Sequence, residues 1–175
     1  MVEEPLGIVL AAFSIHKIKK GVIPMGITIT LSKVKLVRES SHRYGNIESR
    51  KISEPIDAVK VANEVLELEN LAQELFGVLF LDVRNKITGI MEVSRGSVNS
   101  SIATPREVFK GAVLHNAVSI LLFHNHPSGD PTPSREDIQL TRQMQKAGEL
   151  MQISVLDHVI IGNGCFTSLK EADLM

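Results

Sequence analysis

Apolar residues recur at two different spacings along this chain, and the two spacings predict helices and strands in turn. Apolar positions three or four apart after Pro55 predict a helix to about Leu68, and proline suits the first turn of a helix. We expect one further helical turn over residues 69–74. Short apolar runs rich in β-branched residues are typical of buried strands. They predict strands over residues 77–81, 87–93 and 117–123, and a hairpin loop over residues 82–86.

The same alternation continues to the end of the chain. Thr104, Pro105 and Glu107 have the form of a capping box, which predicts a helix that ends near Asn116. A longer helix is predicted over residues 135–150, and its expected apolar side consists of Ile138, Met144, Ala147, Leu150 and Met151. The last predicted elements are a strand over 154–161, a tight turn over 162–164 and a returning strand over 165–168. Helices that alternate with strands in this way indicate an α/β protein with a mixed sheet.

Composition narrows the class of protein. A chain of 175 residues favours one domain, and a hydrophobic content of 43% is enough for a proper core. The net charge of −1 provides no general attraction to nucleic acid or to acidic membranes, so we expect DNA binding to be weak at most. Cys165 is the only cysteine, so no intrachain disulfide can form, which fits a reducing, cytoplasmic location.

The first 54 residues differ in character from the rest. Their apolar run, Leu6 to Phe13, is far shorter than the roughly 18 residues of a membrane span, and acidic residues precede it where a signal peptide carries positive charge. Alternating apolar positions from Gly26 to Val37 predict short strands, and a polar loop follows. We therefore interpret residues 1–54 as an N-terminal extension, residues 55–175 as the main domain, and expect no membrane partner.

The candidate chemistry lies where the strand over residues 117–123 ends. His124 and His126 are two positions apart, so a strand that continues to His126 would point both imidazoles to one face. Neutral imidazole is the commonest metal ligand in proteins. A stiff, turning loop with three prolines and one glycine follows, and Ser134 to Asp137 then has the form of a helix N-terminus. If this loop folds back, it places the Asp137 carboxylate beside both imidazoles.

Two histidines and one aspartate make three protein ligands, which leave the fourth position of a zinc ion open, as in catalytic zinc sites. Each part alone has a simpler explanation. Two histidines at a strand end are often only exposed, and Ser-x-x-Asp is most often a capping box. The combination is more specific than its parts, and it predicts one zinc ion per chain, held by His124, His126 and Asp137.

The stretch from His124 to Asp137 resembles the signature of JAMM (MPN+) metalloproteases, which is His-x-His, seven residues and Ser-x-x-Asp. The wider segment from Phe76 to Leu169 is similar to the RadC-like branch of that superfamily. Four motifs carry the likeness: Arg95–Ser101, Pro105–Lys110, His124–Gly129 and Leu156–His158. The resemblance implies a JAMM fold, similar to that of cytidine deaminases, in which helices flank a curved, mixed and mostly antiparallel sheet. Residues 55–175 would form this RadC-like metal-binding domain.

The resemblance also implies roles for individual residues. JAMM enzymes use a glutamate in a Glu-x-x-Gly context as general base, and Glu74 stands in that context, whereas composition alone would not choose it over Glu92 or Glu107. Ser134 matches a serine that donates a hydrogen bond to the developing oxyanion, and it can also cap the helix. His158 is either a second layer behind the metal or a satisfied core histidine. The expected function is zinc-dependent hydrolysis of a peptide or isopeptide bond. The alternative is a non-catalytic or DNA-repair-associated RadC-like module.

Overall fold

A computed structural model of the protein describes residues 51–68, 71–96 and 103–175. Three helices and five strands lie within these ranges. In chain order they are α1 (Pro55–Leu66), β1 (Leu75–Leu81), β2 (Ile87–Arg95), α2 (Pro105–Leu114), β3 (Ser119–Asn125), α3 (Arg135–Met151), β4 (Ser154–Ile161) and β5 (Phe166–Ser168). The predicted strands and loop of the N-terminal extension lie outside the described residues, apart from residues 51–54, and so does most of the Arg95–Ser101 motif.

The five strands form one sheet in the order β2-β1-β3-β4-β5. Neighbouring strands are antiparallel except β3 and β4, which are parallel and are connected through α3. A parallel pair needs a crossover of this kind, because both of its strands begin at the same edge of the sheet. The predicted fold class is therefore confirmed: an α/β fold in which helices flank a mixed, mostly antiparallel sheet.

The central strands β1 and β3 are buried along their whole length. Successive side chains of a strand point to opposite faces of the sheet, and here each face has its own apolar core. The core under α1 includes Val59, Ala62, Leu79, Leu121, Phe123 and Val159. The core under α2 and α3 includes Phe80, Val108, Phe109, Ile120, Leu122, Leu140 and Met144. Because apolar groups cover both faces, these two strands have continuous apolar runs, which in β3 extend from Ile120 to Phe123, rather than alternating sequences.

Strand alternation sorts the polar residues at the end of β3. Leu122 lies in the core under α2 and α3, so His124, two positions later, lies on the same face. His126 comes just after β3, but its amide donates to the carbonyl of Ile161 at 2.8 Å and continues the pairing with β4. Asn125 takes the opposite face, toward α1. The two imidazoles are thus aimed at the N-terminal end of α3.

The predicted helical turn before β1 is wrong for residues 71–74, which are irregular. α1 ends at Leu66, because Glu67 adopts a left-handed conformation with φ 53° and its amide bonds back to the carbonyl of Asn63. The carbonyls of residues 71 and 73 are instead bound by the side-chain amide of Asn125. A tertiary contact has replaced the local helical bonds that the sequence pattern favoured.

The predicted capping box of α2 is also wrong. Thr104 occupies the N-cap position, but its side chain makes no cap hydrogen bond. Glu107, which would complete the box, pairs with Lys110 on the next turn. Neighbours at this spacing on a helix compete well for an exposed carboxylate.

The buried side of α3 matches its predicted apolar side only in part: Met144 is buried as predicted. Leu150 and Met151 are 88% and 47% exposed, whereas Leu140 and Thr141 are buried. The buried residues of α3 are Asp137, Leu140, Thr141, Met144 and Gly148, which follow at helical spacing. On this side of the helix Leu140 and Met144 pack in the core, and the Asp137 carboxylate faces the two imidazoles.

Candidate metal centre

Two histidines at the end of β3 point ring nitrogens at each other. Nε2 of His124 lies 2.9 Å from Nε2 of His126. The side chain of His124 is 1% exposed and that of His126 is 18% exposed, so solvent reaches the pair from one side. Nδ1 of His126 lies 2.8 Å from the backbone oxygen of Asp130. A carbonyl oxygen only accepts, so a neutral His126 carries its proton on Nδ1 and presents a bare Nε2.

The N-terminus of α3 brings a carboxylate to this pair. Ser134 is the N-cap, its Oγ accepts from the Asp137 amide at 3.1 Å, and Oδ2 of Asp137 accepts from the Ser134 amide and hydroxyl at 2.8 and 2.6 Å. This capping box holds the aspartate in position. Oδ1 of Asp137 lies 3.3 Å from Nε2 of His124, and Oδ2 lies 3.6 Å from Nε2 of His126. The Asp137 carboxylate therefore completes the capping box of α3 and approaches both imidazoles at the same time.

A second carboxylate approaches from the residue before β1. Oε1 of Glu74 lies 4.0 Å from Nε2 of His124, and the Glu74 side chain is 25% exposed. The pairing of Phe76 with His124 in the register of β1 against β3 brings Glu74 to this end of the sheet. The alternative glutamates, Glu92 and Glu107, pair with basic side chains on their own elements instead.

Asn125 holds the segment that carries Glu74, and sequence reasoning missed it. Its Oδ1 accepts the amide of Leu75 at 2.8 Å, and its Nδ2 donates to the carbonyl of Gln73 at 3.2 Å. The glycine of the Glu-x-x-Gly motif has a packing reason, because a Cβ on Gly77 would overlap the ring of Phe123. The place of Asn125 between the two histidines was the signal that could have drawn attention to it.

Sequence reasoning also missed a row of hydrogen-bonded polar side chains behind His124. Nε2 of His158 lies 2.9 Å from Nδ1 of His124, and Nδ1 of His158 lies 2.6 Å from Oγ1 of Thr141. His158 and Thr141 are fully buried. His158 therefore fits both sequence interpretations, since it is a satisfied core histidine and also contacts the candidate site. The available signal for Thr141 was its position one helical turn after Asp137.

Burial is the main influence on protonation at this site. It lowers the pKa of His124 from 6.5 to about 4, although the Asp137 carboxylate acts in the other direction. It also lowers the pKa of His158 well below the usual value. Burial opposes ionisation of Asp137, but its electrostatic interaction with His124 in acid and the hydrogen bonds from Ser134 lower its pKa overall. At neutral pH the site presents a neutral His124 and an ionised Asp137, the forms that bind metals.

The chemistry of these donors fits a metal ion. Among the described residues, Glu74, His124 and His126 each offer one ligand atom, and these atoms lie within 4.8 Å of one another. Asp137 comes closer still, with oxygens 3.3 and 3.6 Å from the two Nε2 atoms. Ligand atoms around a tetrahedral zinc ion with bonds of about 2.0–2.1 Å lie about 3.3 Å apart. The two imidazole nitrogens and the Asp137 carboxylate are thus near the spacing that a small divalent cation needs, and the Glu74 carboxylate lies somewhat farther out.

A cleft of about 220 Å³ lies against His126. Leu68 and Leu71 line it, together with residues 127–129 and 161–163. The cleft meets the candidate centre at His126 only, because His124, Asp137 and Glu74 are not among the residues that line it.

A comparison with known proteins identifies the family. A sequence model described as the RadC-like JAB domain matches residues 52–174. The chain belongs to this family. It is 51% identical over 124 residues to a UPF0758 protein of Caldanaerobacter subterraneus subsp. tengcongensis and 54% identical over 109 residues to one of Moorella thermoacetica. A UPF0758 protein of Clostridium perfringens is 42% identical over 156 residues.

These alignments cover 71%, 62% and 89% of this chain, in the same order. They cover 52%, 48% and 67% of the relatives, so the chain spans about half to two thirds of their length. The RadC-like JAB match confirms the predicted resemblance and places the candidate centre inside a domain whose superfamily includes metalloproteases. Among the residues that the structure describes, none of the helices has the length and apolar character needed to cross a membrane.

Proposed function

We propose that this protein is a zinc-dependent hydrolase that cleaves a peptide or isopeptide bond. The observation that supports this most directly is the meeting of two imidazole Nε2 atoms and the Asp137 carboxylate, with separations from 2.9 to 3.6 Å. Lone pairs that face one another at such distances repel unless a cation or a proton lies among them. Membership of the RadC-like JAB domain family adds support, because the JAB superfamily includes metalloproteases.

His124, His126 and Asp137 would hold the zinc ion. Distance favours Asp137 over Glu74 as the third ligand, because an Asp137 oxygen lies 3.3 Å from Nε2 of His124, whereas the nearest Glu74 oxygen is 4.0 Å away. Three protein ligands leave one position open for substrate or water. When bound, zinc would lower the pKa of a coordinated water and polarise the substrate carbonyl.

Glu74 would act as the general base. Its carboxylate lies just outside the proposed ligand set and is partly exposed, so it can meet both water and substrate. It would accept the proton of the attacking water and pass it to the leaving amine. The Asn125 hydrogen bonds on either side of Glu74 would keep the carboxylate at the distance that this transfer requires.

Ser134 would have two roles. It caps α3, and its hydroxyl proton is donated to Oδ2 of Asp137 at 2.6 Å. To stabilise a tetrahedral oxyanion, the hydroxyl would rotate from that oxygen toward the substrate. A donor already aimed at the oxyanion contributes on the order of 3 kcal/mol to the transition state, and the Ser134 hydroxyl would contribute less, because it must first break its bond to Asp137.

Four proteins test the proposal: the wild type and the variants Glu74→Gln, Asp137→Asn and Glu136→Gln. Metal analysis should find one zinc ion in the wild type, and a screen of amide-linked peptides should find zinc-dependent cleavage. Glu74→Gln should keep its zinc and lose turnover by about 10²–10⁴, the usual contribution of a positioned acid–base group. Asp137→Asn should lose zinc affinity and activity together, because it removes a carboxylate ligand. Glu136→Gln is the matched control, since Glu136 is an exposed neighbour of Asp137, and it should resemble the wild type.

The outcomes separate the parts of the proposal. Loss of zinc in Glu74→Gln would make Glu74 a ligand, and full activity in that variant would remove it from the mechanism. Wild-type protein that takes up no zinc at neutral pH would contradict the metal centre itself. Sub-micromolar binding of duplex DNA at physiological salt by such a protein would favour the alternative, a non-catalytic, DNA-associated module.

A further inference from the structure

Three hydrogen bonds in a row connect the backbone of α3 to the ring of His124. The hydroxyl of Thr141 donates to the backbone oxygen of Asp137 at 2.6 Å. Oγ1 of Thr141 lies 2.6 Å from Nδ1 of His158, and Nε2 of His158 lies 2.9 Å from Nδ1 of His124. The exposed fractions of Thr141, His158 and His124 are 0%, 0% and 1%, so water does not compete for these bonds.

The first hydrogen bond, from Thr141 to the Asp137 carbonyl, determines which atom is the donor in each of the others. The Asp137 carbonyl can only accept, so an oxygen–oxygen distance of 2.6 Å requires the single hydroxyl proton of Thr141 to lie between the two oxygens. Oγ1 is then left as an acceptor, and Nδ1 of His158 must be its donor. The reverse direction would leave two oxygens facing each other without a proton, which is strongly unfavourable.

The same logic continues to His124. A neutral imidazole carries one proton, so a His158 ring that donates from Nδ1 has a bare Nε2, which can only accept. The donor across the 2.9 Å contact is therefore Nδ1 of His124. Nε2 of His124 is then left bare, and it faces Nε2 of His126 and Oδ1 of Asp137. Both rings are buried away from water, which favours the uncharged form of an imidazole, so each ring carries one proton.

We propose that Thr141, acting through His158, fixes the tautomer of His124 so that its Nε2 lone pair is presented to the metal position. Thr141 and His158 are thus positioning residues for the centre. The inference deepens the proposed function and rests on it, since it takes Nε2 of His124 to be the ligand atom. Hydrogen bonds behind a metal-ligating histidine usually go to a carboxylate, a backbone carbonyl or water and fix both its tautomer and its ring orientation. Here the partner of His124 is a second buried histidine, whose own tautomer is set by Thr141.

A competing arrangement shows why this row of hydrogen bonds matters. We call the row, from the Asp137 carbonyl through Thr141 and His158 to His124, the relay. In a neutral His126 the hydrogen bond of Nδ1 to the Asp130 carbonyl leaves Nε2 as an acceptor, 2.9 Å from Nε2 of His124. Without the relay, His124 would gain a hydrogen bond by moving its proton to Nε2 and donating it to His126. That proton would occupy the metal position and would have to leave before a cation binds. The relay keeps the position free by giving the His124 proton a buried partner on the other side of the ring.

The test compares Thr141→Val, which removes the hydroxyl at nearly constant shape, with Thr141→Ser, which keeps it. Long-range ¹H–¹⁵N spectra of the histidine rings, recorded on metal-free protein near neutral pH, report which nitrogen carries the proton. Wild type and Thr141→Ser should show His124 and His158 protonated on Nδ1, and Thr141→Val should shift His124 toward Nε2–H. His115, whose ring stacks on Phe80 at 4.5 Å and lies outside the relay, is the control in the same spectra and should not change. The dissociation constant for zinc should rise about 10–100-fold in Thr141→Val and stay at the wild-type value in Thr141→Ser.

Two results would overturn the inference: an Nε2–H tautomer of His124 in the metal-free wild type, or a folded Thr141→Val protein with an unchanged His124 tautomer. The wild-type spectrum decides the first point even if Thr141→Val does not fold. The tautomer is measured without metal or substrate, so the inference and the proposed function can fail separately. A wild type with His124 protonated on Nδ1 that takes up no zinc would leave the relay intact and remove the zinc hydrolase.

Discussion

At the residue scale, Asn125 lies between two proposed ligands in sequence, and its side chain also connects two distant segments of the chain. It is 3% exposed, and its side chain joins the end of β3 to the segment before β1, which is 50 residues away in sequence. A buried donor or acceptor that loses its partner costs about 1–3 kcal/mol. One amide therefore affects both the stability of the domain and the position of Glu74.

Replacing Asn125 by Ala should lower the free energy of unfolding by about 1–3 kcal/mol, because the Leu75 amide and the Gln73 carbonyl lose their partner. Turnover should also fall while zinc content is kept, since the displaced group is Glu74 and not a ligand. Urea unfolding, metal analysis and the peptide assay measure these effects. The control is Asn163→Ala, which removes an exposed amide that lines the same cleft as Asn125. It should change the free energy of unfolding by less than about 0.5 kcal/mol. An Asn125→Ala protein as stable as the wild type would contradict the role.

At the element scale, α2 and α3 begin with similar sequence signals and different outcomes. Both have a hydroxyl residue at the N-cap and an acidic residue three positions later, yet only Ser134 makes side-chain cap bonds. Glu107 pairs with Lys110, whereas Asp137 lies against two imidazoles with no basic neighbour one turn on. The capping box thus forms at α3, where the acidic residue has no basic neighbour, and not at α2, where the acidic residue pairs with a lysine.

The two N-caps make a matched pair of variants. Ser134→Ala should destabilise the protein by about 1 kcal/mol, because a cap bond and a hydrogen bond to Asp137 are lost. Thr104→Ala should change the free energy of unfolding by less than about 0.5 kcal/mol, since Thr104 makes no cap bond. Thermal or urea unfolding of the metal-free proteins measures both. Equal losses in the two variants would show that the Ser134 hydroxyl contributes no more than a residue with no cap bond.

At the scale of the whole molecule, the burial of His124 and His158 makes stability depend on pH. An unfolded chain protonates His124 below about pH 6.5, whereas the folded protein does so only near its pKa of about 4. Between these values the unfolded state binds more protons, so stability rises with pH. The contribution of His124 is complete above pH 6.5 and falls as the pH drops toward 4, and His158 acts in the same direction.

Metal-free protein should therefore lose on the order of 3 kcal/mol of stability from His124 alone between pH 6.5 and pH 4. Urea midpoints measured with a chelator from about pH 7.5 down to about pH 4.5 test this. Replacing His124 by Gln should reduce the slope over the same range. A midpoint that stays constant, or that rises as the pH falls, would show that these rings are not held neutral by burial.

The sequence alone determined the parts of this protein that depend on local order. Short apolar runs predicted β1 and β3, helical spacing predicted α1 and α3, and the two-residue spacing of His124 and His126 predicted that both imidazoles share one face. These features depend on residues close together in the chain, which experience the same periodic backbone. The predicted ligand set and the predicted base, Glu74, also meet in the structure, although their roles remain proposals.

Only the tertiary structure decided how distant segments meet. Asn125 converts a predicted helical turn into an irregular segment, because its buried amide needs the carbonyls of Leu71 and Gln73. His158 gains contact with His124 because β4 lies parallel to β3 and α3 crosses above them. Leu150 is exposed despite its apolar side chain, because the face of α3 that packs is the one that carries Asp137. Hydrogen bonds and packing between residues far apart in sequence leave no periodic pattern, so the second layer of the site emerges only when the sheet and α3 come together.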